Sequence, residues 1–283
     1  MRLARINGPE GPYFSIQGTD GSWVAISSLG IVAETTPELV AVGDRLAGLD
    51  IGRIAGGVID PEFLAPIVAP SKMLAVALNY VDHIEEQVLD APENPIIFAK
   101  YPSSLNGPYG DIVVDPRLTG RADYVVELAV VMGRRTRDVA EADALDHVFG
   151  YTVSNDVSAR DAQRADRQFG RSKSFDTFCP IGPWITSADA VADPQALGLW
   201  TRVNGETRQD SSTAKMLFSV AYLIHYLARG MTLEPGDVIL TGTPSGVGLF
   251  MDPPVFLEPG DVVECGVEGL GTLRNAIVPP GEL

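Results

Sequence analysis

Two carboxylates set in apolar surroundings are the first chemical signal in this chain. Glu127 lies in Asp123-Tyr-Val-Val-Glu-Leu-Ala-Val-Val-Met-Gly133, which reads as a strand entering a buried run. Asp156 lies in Asn155-Asp-Val-Ser-Ala-Arg-Asp-Ala-Gln163, a polar stretch behind another apolar segment. Strand side chains alternate faces, so Asp123, Val125 and Glu127 are expected on one side. Acidic oxygens of this kind suit a hard cation, Mg²⁺ or Mn²⁺, which keeps waters that a substrate can displace. With valine between the two acids, that face reads as a cation site short of one ligand, binding its metal weakly or not at all.

A second group could move protons. Asn79-Tyr-Val-Asp-His-Ile-Glu-Glu86 follows an apolar strand, and one helical turn would bring His83 to Glu86. A carboxylate beside an imidazole orients it as a general base. His147 and His225 fall inside helix-like segments and read as structural. Arg160 and Gln163 follow Asp156 by four and seven residues, so a helix over that stretch would align all three and point cationic donors at an oxyanion. Lys173 and Lys100 are further candidate charges. Thr241-Gly-Thr-Pro-Ser-Gly-Val-Gly248 follows a strand, and its glycines, hydroxyls and N–H groups could bind a carboxylate or phosphate. It lacks the Gly-Lys-Ser/Thr ending of a P-loop.

The elements that must position these groups alternate short apolar strands with turns. Arg2–Ile6 and Trp23–Ile26 are strand-like, separated by turn signals at Gly8-Pro9 and Gly18-Thr-Asp-Gly21, and residues 36–49 can hold a short helix. Prolines at 61, 66 and 70 mark a boundary between a small N-terminal module, residues 1–68, and a larger domain, residues 69–283. Strands are expected near Met73–Leu78, Leu128–Met132, Trp184–Ile185 and Val238–Leu240. Helices are expected over Ala140–Val148 and Ser212–Arg229, the latter closed by Gly230. Many strands and few helices predict a β-rich α+β fold.

Composition narrows the function. At 283 residues and 45% hydrophobic, the chain can bury a sizeable core. A net charge of −16 disfavours nucleic acid and requires any anionic substrate to meet local Arg or Lys. Cys179 and Cys265 have no metal-ligand spacing and read as buried free thiols in a reducing compartment. With no signal-like start and no apolar run of membrane length, a cytoplasmic protein is expected.

Five strings, in order, resemble the fumarylacetoacetate hydrolase family in its short bacterial branch with one catalytic domain. They are Leu78-Asn-Tyr-Val-Asp-His83, Ser154-Asn-Asp-Val-Ser-Ala-Arg-Asp161, Lys173-Ser-Phe-Asp-Thr177, Gly236-Asp-Val-Ile-Leu-Thr-Gly-Thr-Pro244 and Gly269-Leu-Gly-Thr-Leu-Arg-Asn275, spanning residues 70–280 approximately. The resemblance implies a mixed β-roll and β-sandwich catalytic domain, a homodimer, and Mg²⁺ or Mn²⁺ held by a Glu-x-Glu pair and a later Asp. Glu127 matches the second Glu and Asp156 the Asp, while Val125 stands at the first Glu. His83 and Glu86 match the water-activating dyad. Arg160, Gln163 and Lys173 match residues that hold the substrate's oxyanion, and Thr243 one that contacts its carboxylate. Ala77 stands where the family more often has glycine, which narrows the pocket.

The expected catalytic set is thus His83, Glu86 and Lys173, with Lys100, Arg160, Gln163 and Thr243 as substrate-binding residues and Glu127 and Asp156 as metal ligands. The family's chemistry is enolate stabilisation, used for C–C hydrolysis, decarboxylation or keto–enol isomerisation of a small 2-oxo acid or 1,3-dicarbonyl. Two alternatives stand beside it: a metal-independent homologue catalysing isomerisation or cyclisation, and a catalytically silent binding homologue.

Overall fold

The computed structural model describes residues 1–281. Its centre is an eleven-stranded mixed sheet. The strand Val126–Met132 lies in the middle, antiparallel to Val148–Asn155 on one side and to Val238–Leu240 on the other. Met73–Ala77 continues the sheet parallel to Val238–Leu240, and Ile96–Lys100 closes that side. Every residue of Val126–Met132 is buried, so this strand shows an unbroken apolar run below Glu127 in place of alternation. Leu128, Val130 and Met132 share one core with Leu199, Val263 and Leu273 of a second, five-stranded sheet and with Leu223 and Leu227 of the longest helix. Ala129 and Val131 belong to a second core with Met73, Ile181, Leu240, Leu39 and Leu46. The sheet is therefore packed on both faces, and the site sits at the strand ends where this packing stops.

The chain before the prolines contributes strands to the same large sheet. Arg2–Gly8 pairs with Gly11–Gln17 and also with Cys179–Ser187, which joins it to Val148–Asn155. Residues 36–49 form two short helices, Thr36–Ala41 and Gly43–Ala47, the first opened by a capping box between Thr35 and Glu38.

Three expectations change in detail. Glu141–His147 is a 3-10 helix, not an α-helix. The segment read as one helix from Ser212 starts only at Val220, where Ser219 accepts the N–H of Tyr222 as N-cap, because the preceding Glu206–Ser212 is a strand. Gly230 is the last helical residue and Met231 the cap. The acidic strand also breaks: Ala122–Asp123 pairs with Ser158–Ala159, and the central strand begins afresh at Val126. Asp123 consequently leaves the face shared by Val125 and Glu127. It accepts N–H groups from Gly248 and Leu249 and pairs with Arg160 at 2.8 Å.

Candidate active site

Met73–Ala77 delivers the first component. The chain turns at Leu78, which takes a left-handed conformation (φ 55°), and enters the short helix Val81–Glu86. Buried Asn79 fixes this turn: its amide donates to the carbonyls of Phe218 and Thr241, and its Oδ1 accepts the N–H of Phe218. The helix brings His83 Nδ1 to 2.5 Å from Glu86 Oε1. With Nδ1 held by the carboxylate, Nε2 is the nitrogen left for proton transfer.

The loop after Val238–Leu240 locks this dyad. Gly246 donates its N–H to Glu86 Oε2 over 2.9 Å, and Gly242 donates its N–H to Glu127 Oε2 over 2.7 Å. Both glycines have positive φ, 94° and 96° for Gly242 and Gly246, and a Cβ on Gly242 would stand 2.8 Å from the Cβ of Asn79. The N–H groups expected to bind a ligand's carboxylate here hold the protein's own carboxylates.

A buried charge cluster forms the floor. Asp156 leaves Val148–Asn155 anchored by its N–H to the Val125 carbonyl at 2.8 Å. Lys100 Nζ lies 2.8 Å from Asp156 Oδ1, and Lys173 Nζ donates to Asp156 Oδ2. Burial and the neighbouring Asp156 charge push Glu127 up to about 8. Burial opposes ionisation of Asp156 as well, but Lys100 and Lys173 hold it below the usual carboxylate range. Burial lowers the Lys173 ammonium from the ordinary lysine value against the pull of Asp156.

A cavity of about 140 Å³ brings together His83, Val125, Glu127, Arg160, Gln163, Lys173 and Thr243, with Ala77, Phe98, Phe169 and Phe250 among its walls. Arg160 and Gln163 lie one turn apart on the helix Arg160–Asp166, with Arg160 donating to Gln163 Oε1. Asp156 is not on that helix, because the bridge Ser158–Ala159 intervenes. Lys100, expected against the substrate, lies behind the cavity wall, its ammonium committed to Asp156 and the Lys173 carbonyl. Gln209 was not singled out from sequence. It donates to Thr243 Oγ1 and accepts the N–H of Val126, tying the second sheet to the pocket. A lone glutamine in a polar strand offers no sequence signal for this. Both cysteines are buried free thiols, as expected.

The donor set decides how a divalent cation fits. Glu127 and Asp156 supply carboxylates and Val125 supplies none, and no group of three or more potential ligands gathers among the described residues. Mg²⁺ is often held by one or two carboxylates with water and substrate completing its shell. Glu127 lines the cavity and Asp156 is fully buried beside it, so they fit that role only for a weakly held, largely hydrated cation, which must compete with both Lys100 and Lys173 for Asp156.

Fold and site together place a histidine–glutamate pair and a buried carboxylate–lysine cluster at the ends of the central strands. The family model "Fumarylacetoacetate (FAA) hydrolase C-terminal" matches residues 72–278, and the chain belongs to the fumarylacetoacetate hydrolase family as an enzyme. It is 42% identical to human mitochondrial oxaloacetate tautomerase FAHD2B, an alignment covering 98% of this chain and 92% of that protein. Its structure is similar to fumarylacetoacetate hydrolase from Exiguobacterium antarcticum, with a TM-score of 0.91 and 38% identity over 99% of this chain and 100% of that one. It is also similar to maleylpyruvate hydrolase from Sphingobium sp. SYK-6, solved with manganese(II) and pyruvate, with a TM-score of 0.81 and 30% identity over 99% and 100% of the two chains. No helix among the described residues is long and apolar enough to cross a membrane.

Proposed function

We propose that this enzyme interconverts the keto and enol forms of a small 2-oxo acid through an enolate. The observation that supports it is the meeting, in one small cavity, of His83, held from behind by Glu86, with the cationic groups Lys173 and Arg160. The tautomerase name of the human relative points the same way. Tautomerisation needs one base and stabilisation of one developing oxyanion, and this pocket offers both.

In the keto-to-enol direction, His83 Nε2 takes a proton from the carbon next to the 2-oxo group. The C–H electron pair becomes a C=C bond, and the carbonyl π pair moves onto oxygen. Lys173 and Arg160 stabilise the oxyanion, with Thr243 and Gln163 orienting the substrate's carboxylate. Protonated His83 then returns its proton to that oxygen, and the reverse sequence restores the ketone. Glu86 holds the imidazole tautomer throughout. Glu127 and Asp156 are the residues that would hold Mg²⁺ or Mn²⁺, and a cation there would supply Lewis-acid polarisation of the carbonyl.

A second reading, the same proton transfer without metal, is favoured by one observation: both oxygens of Asp156 already face lysine ammoniums. Proton NMR in D₂O tests the shared core of both readings. Exchange at C3 of oxaloacetate and of an acylpyruvate should run far above the buffer rate and collapse in His83→Ala. Exchange at the buffer rate overturns the proposal, and cleavage products from the acylpyruvate would shift it to C–C hydrolysis. Repeating the assay with Mg²⁺ and with chelator separates the two readings.

A further inference from the structure

A polar row crosses the buried face of the second sheet. In the strands Gly198–Val203 and Val262–Val267, Leu199, Val203, Val263 and Val267 all belong to the core. Between them Thr201 lies opposite Cys265 on one side and Gln209 on the other. Thr201 is fully buried and Gln209 is 1% exposed. Polar groups at such positions are costly unless every one of them is paired.

The orientation of the Gln209 amide follows from its backbone partners. Oε1 accepts the Val126 N–H over 3.1 Å, from a group that can only donate, and Nε2 donates over 3.0 Å to the Pro244 carbonyl, which can only accept. The second Nε2 hydrogen goes to Thr243 Oγ1 over 2.9 Å, and Oε1 also takes the Thr201 hydroxyl over 2.8 Å. Thr201 spends its proton on Gln209, so in its 3.5 Å contact with Cys265 Sγ the thiol is the donor. Gln209 thereby uses all of its donors and acceptors, and turning its amide over would set two like groups against each other at both ends.

Thr243 consequently accepts from Gln209 and keeps its own proton. Its side chain lines the reaction cavity, and among the described residues its hydroxyl donates to no protein acceptor. The loop that carries it rests on the strand of Gln209, since a Cβ on Gly246 would meet the Arg208 carbonyl oxygen at 2.1 Å.

We propose that Gln209 is a positioning residue for the reaction: by holding Thr243 as an acceptor, it turns the hydroxyl proton into the cavity and makes Thr243 an obligatory donor to a substrate oxygen. The inference rests on the 2-oxo acid reading of the reaction pocket, in which that oxygen belongs to the substrate's carboxylate.

Steady-state C3 deuterium exchange of oxaloacetate, followed by proton NMR, tests this. A donor to the carboxylate serves ground state and transition state alike, so its loss raises KM and spares kcat. Gln209→Glu keeps the volume but offers at most one donor to two acceptors; the Pro244 carbonyl takes it, and the Thr243 proton turns to the acid. KM should rise at least about tenfold, with kcat within about threefold of the parent. Thr243→Val should raise KM comparably. In the Thr243→Val background Gln209→Glu should add less than about twofold, because both changes act through one hydroxyl. Should Gln209→Glu fail to fold in a thermal melt, Gln209→Met, which removes both donors, should raise KM at least about threefold and lose that effect in the same background. An unchanged KM in Thr243→Val or in a folded Gln209 variant, losses that multiply in the double variant, or a loss confined to kcat overturns the assignment and leaves the 2-oxo acid reading untouched. A parent that exchanges oxaloacetate only at the buffer rate removes that reading and the Gln209 assignment with it.

Discussion

Gly246 and Glu86 are joined by a 2.9 Å hydrogen bond from the glycine N–H to Oε2, while the other oxygen of Glu86 faces His83. Gly242, in the same loop, performs the same service for Glu127. One turn thus orients both the carboxylate that holds the base and the carboxylate at the charge cluster. Its backbone requires glycine because a side chain would meet neighbouring atoms at positive φ.

Gly242→Ala should therefore destabilise the protein by about 1–3 kcal/mol, with activity lost as Glu127 loses its donor. Gly230→Ala is the contrast: a Cβ there meets nothing within 4 Å and the backbone is helical, so stability should rise by about 0.4–1 kcal/mol. Chemical denaturation of both variants checks the difference in sign.

His83→Ala should lower turnover by about 10²–10⁴-fold with the fold intact, as expected for loss of a general base. Glu86→Gln keeps the volume but removes the charge that holds the imidazole, and should fall between the parent and His83→Ala. Steady-state rates with circular dichroism distinguish loss of base from loss of structure. Activity of His83→Ala within a few-fold of the parent would move the base elsewhere.

Val125→Glu should restore a third carboxylate beside Glu127 and tighten Mg²⁺ binding by at least about tenfold, roughly 1.4 kcal/mol. Val125 is 2% exposed, so the added Glu is costly to ionise without a cation. The variant should melt lower than the parent in chelator and recover when Mg²⁺ is added. Titration calorimetry showing equal affinity in parent and variant would remove position 125 from the metal site.

Glu127 also predicts a pH dependence. Its folded-state pKa is raised from 4.5 to about 8, so the native state binds its proton more tightly than the unfolded chain does. The stability this contributes is complete below the unfolded value and is lost as pH rises through about 8. Asp156 acts in the opposite direction and at lower pH, because its lysine partners hold its pKa down. Comparing parent and Glu127→Gln in chelator should show a relative decline of the parent across pH 4.5 to about 8. Parallel curves would place the titration on another group.

The family resemblance supports a homodimer. Light scattering should return about twice the 30.2 kDa of one chain at micromolar concentration. A single-chain mass would reject it.

The sequence by itself determined the family, the β-rich class and nearly all of the pocket's polar groups. His83 and Glu86 were legible because their contact is local, within one helical turn. Glu127 stood out because an acid at the head of a buried apolar strand is costly without a purpose. Tertiary structure decided what those groups face. Lys100 and Lys173 lie far apart in sequence and meet Asp156 only because three separate segments converge, so neither their pairing nor the withdrawal of Lys100 from the cavity has a local signature. The break before Val126 that moves Asp123 onto Arg160 depends on the short pairing of Ala122–Asp123 with Ser158–Ala159. Gln209 and the N–H groups of Gly242 and Gly246 gained their roles in the same way, from backbone donors and polar side chains whose partners lie across the fold. Residue type fixes which groups can do chemistry, whereas long-range packing fixes which charges are free to do it.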